Sequence, residues 1–134
     1  MSSRSKAREL ALKALYALES TEQDPGEVFE SVAQSAKLNE DGVAYARRLF
    51  DSTSSSVSDL DSRISKLAHN WRIERLATVD KNILRLSMTE LLHFPDIPRN
   101  VSIDEAIELA KKYGAAESPA FVNGVLDRFA SELK

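Results

Sequence analysis

The chain has 134 residues, a formal charge of −3 and no cysteine. That length fits one domain able to bury most of its apolar surface, and the absent thiols exclude disulfides and thiolate metal ligands while permitting an intracellular location. The acidic balance argues against indiscriminate coating of nucleic acid, which requires many neutralised phosphates, so any nucleic-acid site has to be local.

The N-terminus lacks the continuous apolar core of a signal peptide and no run approaches membrane-spanning length. A cytoplasmic protein with no membrane contact is expected. The first helix should run from about Ser5 to Ser20, burying Ala7, Leu10, Ala11, Ala14, Leu15 and Leu18 on one arc. Arg4, Lys6, Arg8 and Lys13 outweigh Glu9 in the first sixteen residues, and Lys6 and Lys13 project away from the apolar arc. Tyr16 lies about 60° around the axis from Lys13, placing a ring beside a basic edge. Leu12 is expected to leave some apolar surface exposed, to be covered by a partner or by a second copy in a homodimer.

Asp24-Pro25-Gly26-Glu27 carries the signature of a capped helix start, followed by Val28, Phe29, Val32 and Ala36. From 40 to 68, Val43, Phe50, Val57 and Ile64 recur every seven residues, interleaved with Ala46, Thr53, Leu60 and Leu67. This seam passes through the run Ser52 to Ser56 and predicts one long helix, weakest near Thr53, packed within the chain. A break follows at Asn70 to Arg75, with Trp71 wedged between the halves. The central, most buried helix is expected from Val79 to Phe94, with Thr78 as its cap and Pro95 and Pro98 ending it.

Ser102 and Glu105 have the spacing of a capping box, opening a helix that buries Val101, Ile103, Ala106, Ile107, Ala110 and Tyr113. Gly114 should stop it. Ser118 then offers an N-cap and Pro119 a first helical position, for a last helix to about Glu132. No strand-like alternation competes, so the fold class is all-α: a helical bundle of about seven helices, three in an N-terminal half (about 1–69) and four in a C-terminal half (about 70–134).

Nothing points to catalysis or to a cofactor. His69 and His93 form no helical metal pair, and Gly26, Gly42, Gly114 and Gly124 are isolated, so neither a Walker loop nor a dinucleotide fingerprint exists. The serine run has no adjacent histidine and no nucleophile elbow. The pairs Glu105 and Glu108, and Glu19 and Glu22, read as solvated helix faces. Binding remains as the function class.

The strings KARELALKALY (6–16), VDKNILRLSMTELL (79–92), SIDEAIELAKKYG (102–114) and FVNGVLDRF (121–129) together resemble the NusB family of transcription antitermination factors. They occur in the family's order and span nearly the whole chain. The resemblance implies an all-helical, non-enzymatic protein that binds the single-stranded boxA element of ribosomal RNA leaders. It also implies pairing with NusE, a small-subunit ribosomal protein, in an antitermination complex on RNA polymerase. On this reading Arg4, Lys6, Arg8 and Lys13 meet phosphates while Tyr16 stacks on a base. Phe121 and Asn123 add stacking and amide recognition near the start of the last helix, where free amides and the positive dipole favour an anion. Val122, Val125 and Leu126 pack inward there, and Gly124 permits a close helix contact.

Arg75, Asp80 and Glu90 map onto the family's partner surface, with Asp80 the foremost; Asp80 also suits the helix N-terminal dipole. The chain departs from the family pattern at Ser3, Ser5 and Ala120, where basic residues often stand, which implies weaker or more salt-sensitive RNA binding. Three alternatives remain open. One is a NusB-fold adaptor that has lost RNA binding, and a second is the NusB-like domain of a ribosomal RNA methylase, although no S-adenosylmethionine domain follows. The third is an unrelated helical protein.

Overall fold

The computed structural model describes residues 3–68 and 72–133, and the described residues are helical throughout their regular elements. The helices are α1 (Ser3–Glu19), α2 (Pro25–Ala33), α3 (Glu40–Ser54), α4 (Val57–Leu67), α5 (Thr78–His93), α6 (Arg99–Tyr113) and α7 (Ser118–Glu132), with one 3-10 turn at Ile73–Arg75. The all-α reading with about seven helices holds among the described residues, but four of them lie before residue 69 and three after it, where three and four were expected. His69, Asn70 and Trp71 lie outside the described residues, and with them the expected wedge.

The chain forms two compact units, Met1–Ser55 and Ser56–Lys134. Their boundary coincides with a correction to the sequence reading, because the helix expected over 40–68 is broken at Ser55 and Ser56. The hydroxyl run explains the break. Thr53 Oγ1 donates to the Leu49 carbonyl at 2.7 Å, Ser55 Oγ to Ser52 at 3.2 Å and Ser54 Oγ to Asp51 at 3.4 Å. Such local bonds compete with helix continuation. Of the expected seam, Ala46, Phe50 and Thr53 are buried in the first unit and Leu60, Ile64 and Leu67 in the second, while Val43 and Val57 are half-buried.

In the first unit α1 packs on α2 and α3. The core joins Ala7, Leu10, Ala11, Ala14 and Leu15 to Phe29, Leu49 and Phe50, and the Phe29 and Phe50 ring centroids lie 5.3 Å apart. Asp24 caps α2 as expected, accepting from the Glu27 amide, and Asn39 caps α3 by accepting from Gly42 at 2.8 Å. Leu12 is only 4% exposed, so it does not present the free apolar surface expected of it.

The second unit is organised by α5, in which every residue from Asn82 to Glu90 is buried. Helices α4, α6 and α7 each pack against it. Three of the expected caps are corrected. Thr78 is the first residue of α5 and makes no side-chain cap bond. Helix α6 begins at Arg99, three residues before the expected capping box, so Ser102 falls inside the helix and points inward. Ser118 Oγ accepts from the Ala115 amide at 2.9 Å, holding the turn before α7 and not the helix end.

The buried face of α6 also differs from the expected one. Ser102, Ile103, Ala106, Leu109 and Ala110 are inside, while Val101 is 36% exposed. Gly114 ends the helix by allowing a close approach: a Cβ there would sit 2.6 Å from Ser118 Cβ and 2.8 Å from the Ala110 carbonyl. Two arginines satisfy helix C-terminal carbonyls in this unit. Arg128 donates to Leu67 of α4 at 2.9 Å, and Arg99 to Ala130 of α7 at 3.1 Å.

Candidate nucleic-acid interface

Helix α1 divides its basic residues between solvent and interior. Arg4, Lys6 and Lys13 are exposed, but Arg8 is 4% exposed. Position 8 lies one turn before Leu12 and two before Leu15, on the buried arc, so counting charge without its angle misplaced it. Its guanidinium carbon lies 5.9 Å from the Tyr45 ring centroid, and that of Arg4 lies 4.0 Å from the same ring. The two cations thus share a buried aromatic face of α3, an arrangement that holds their side chains in place. Arg8 is corrected from an RNA contact to an interior residue.

Lys13 lies 3.8 Å from Glu9 with half of its side chain in water. Tyr16, one turn further, is 50% exposed. An exposed ring beside exposed ammonium groups can stack a base while lysines meet its phosphate.

The last helix separates its residues by face. Val122, Val125, Leu126 and Phe129 are buried, whereas Ala120, Asn123 and Gly124 are exposed and Phe121 is half-buried. The expected free amides are largely occupied: Phe121 donates to the Glu117 carbonyl, Ser118 donates to Ala115, and Pro119 has no N–H. Phe121 and Asn123 therefore lie past the helix end and offer side chains, not backbone. Gly124 is corrected too, since a Cβ built on it meets nothing within 4 Å. Its small size serves no helix contact.

The three residues expected at a protein partner are placed very differently. Arg75 is exposed in the 3-10 turn. Asp80 is half-buried in the first turn of α5, and its Oδ1 is buried with no hydrogen-bond partner among the described residues. Glu90 is 2% exposed and accepts from Ser102 Oγ at 2.6 Å. That is an internal bond joining α5 to α6, so Glu90 is corrected from a surface contact to a core polar residue.

Sequence reasoning missed the polar cluster beside it. Arg85, 6% exposed, holds both carboxylate oxygens of Asp61 at 2.7 and 2.8 Å and donates to Asn82 Oδ1 at 2.9 Å. An arginine inside a run of apolar residues was the available signal, because a charge there must find a partner.

These features define an all-helical binding protein with a basic, aromatic edge on its first helix. A model of the NusB family matches residues 5–131. The transcription antitermination protein NusB of Myxococcus xanthus is 45% identical over 99% of this chain and 98% of its own length. The solved structure of T. maritima NusB superimposes with a TM-score of 0.90 at 39% identity, covering 96% of this chain and 91% of that one. A crystal structure of the antitermination factors NusB and NusE in complex with dsRNA aligns with a TM-score of 0.89 at 31% identity, over 98% of each chain.

The chain belongs to the NusB family of transcription antitermination factors, which are binding proteins and not enzymes. No described helix is long and apolar enough to cross a membrane.

Proposed function

We propose that this protein binds the single-stranded boxA element of ribosomal RNA leader transcripts together with NusE, in the cytoplasm, and so promotes read-through by RNA polymerase. It acts as one NusB-like domain over residues 1–134. The observation that carries the reading is the exposed row of Lys6, Lys13 and Tyr16 on α1, in a chain whose net charge is otherwise negative. The NusB relative solved with NusE and dsRNA supports both classes of partner. Arg4, Lys6 and Lys13 contact phosphates and position the strand, while Tyr16, Phe121 and Asn123 engage bases.

Arg75 and Asp80 form the NusE contact. A basic or amide group of NusE would meet the part of the half-buried Asp80 side chain that reaches solvent. The second reading, a NusB-fold adaptor that pairs with NusE but no longer selects RNA, is favoured by Ser3, Ser5 and Ala120, and by the burial of Arg8.

The test is a titration of fluorescent boxA RNA and a scrambled control at two salt concentrations, with and without NusE. Binding that prefers boxA and strengthens with NusE is expected. NusE binding without any preference for boxA would replace the antitermination reading by the adaptor.

A further inference from the structure

A groove of about 330 Å³ runs between α1 and the C-terminal end of α2 with its following loop. Its floor is apolar, from Leu10, Val32 and Leu38, and its rim carries Lys6, Lys13 and Lys37. Lys6 and Lys13 stand two turns apart on one side of α1, about 10 Å along the axis. Lys37 reaches the same opening from the loop between α2 and α3. Glu9 is the one acid lining the groove, so three cations against one anion leave a local charge of +2 within a chain of net −3. Lys37 makes no ion pair among the described residues.

We propose that this groove holds one nucleotide of the bound RNA strand, with its base on the Leu10, Val32 and Leu38 floor and its phosphates on Lys6, Lys13 and Lys37. Lys37 thereby becomes an RNA-binding residue. The inference rests on the RNA-binding reading above and extends it by a second element of the first unit. The volume lies at the lower end of sites that enclose small organic ligands, which suits a single nucleotide. Lysine ammonium groups meet phosphates as point charges and carry no base code. The groove therefore adds affinity and salt dependence, not sequence choice. RNA is favoured over an acidic peptide because two of the three lysines belong to the α1 edge that continues to the exposed Tyr16 ring.

The experiment compares Lys37→Ala, Lys37→Arg and Lys6→Ala in the full chain, by titration of fluorescent boxA RNA across a salt series with NusE present. NusE affinity without RNA is measured in parallel, as is crosslinking of 4-thiouridine-substituted RNA. Lys37→Ala should weaken binding several-fold and lower the log-log salt slope by about 0.7, Lys37→Arg should keep the slope, and crosslinks should appear in residues 32–38. If Lys6→Ala lowers affinity and slope while Lys37→Ala changes neither, the groove is empty in the complex and only the α1 edge binds RNA. Unchanged binding in both variants removes the α1 site and the groove together. A Lys37→Ala loss confined to NusE affinity would assign the groove to a protein and overturn the proposal.

Discussion

Helices α1 and α5 each form the centre of their unit's packing, yet they use charge in opposite ways. In α1 the cations at 4, 6 and 13 reach solvent, although Arg4 also lies over the Tyr45 ring, and Arg8 alone of the four is buried. In α5 the charged residues Arg85 and Glu90 are both interior, each held by a partner on another helix. The contrast follows from position around the axis. A helix packed on one face leaves an arc where charge remains hydrated, whereas a charge in the fully buried stretch of a helix surrounded by three others needs a partner. An exposed charge on α1 is thus a candidate for a ligand, whereas Arg85 and Glu90 in the buried middle of α5 are internal struts and Asp80, in its half-buried first turn, is not.

The largest test of this contrast is Arg85→Ala. Removing one partner of a buried pair costs about 3–5 kcal/mol, and the lower end applies because the Asp61 side chain keeps 27% of its surface in water. Urea unfolding should show the loss; destabilisation below about 1 kcal/mol would mean that α5 tolerates an unpaired charge as α1 does.

Next, Glu90→Ala leaves the Ser102 hydroxyl without its acceptor and should cost about 1–3 kcal/mol with NusE affinity unchanged. Asp80→Lys should do the reverse, abolishing most NusE binding with the fold intact by circular dichroism. Equal effects of the two on NusE would return Glu90 to the partner surface.

Within α1, Arg8→Ala and Lys6→Ala separate the two roles on one helix. Arg8→Ala should cost about 1 kcal/mol through the lost contact with Tyr45 and leave the salt slope of RNA binding unchanged. Lys6→Ala should leave stability unchanged and lower the slope by about 0.7. The smallest effect is expected at Gly124, where alanine meets nothing and should stabilise α7 by roughly 0.5–1 kcal/mol in thermal or urea unfolding. Weaker RNA binding in that more stable variant would show that a ligand approaches the bare backbone there.

Much of this protein was written locally. The all-helical class, the burial of Phe50, Thr53, Leu60 and Ile64, the cap at Asp24 and the stop at Gly114 all follow from spacing and from residues whose preferences act within one turn. The basic edge at Lys6 and Lys13 was legible for the same reason, since a helix fixes the angle between its own residues. What local pattern left open was how two segments distant in sequence meet. Ser102 has the spacing of a cap, but packing of α6 on α5 gives its hydroxyl to Glu90. The angle of Arg8 on α1 already places it on the buried arc, but that Tyr45 of α3 receives it there is not in the local pattern. Lys37 acquires a role only when the loop after α2 comes to the side of α1. Hydrophobic periodicity encodes which face of a helix is buried, but the partner of each polar side chain is set by the neighbouring helix, and that only the tertiary structure decided.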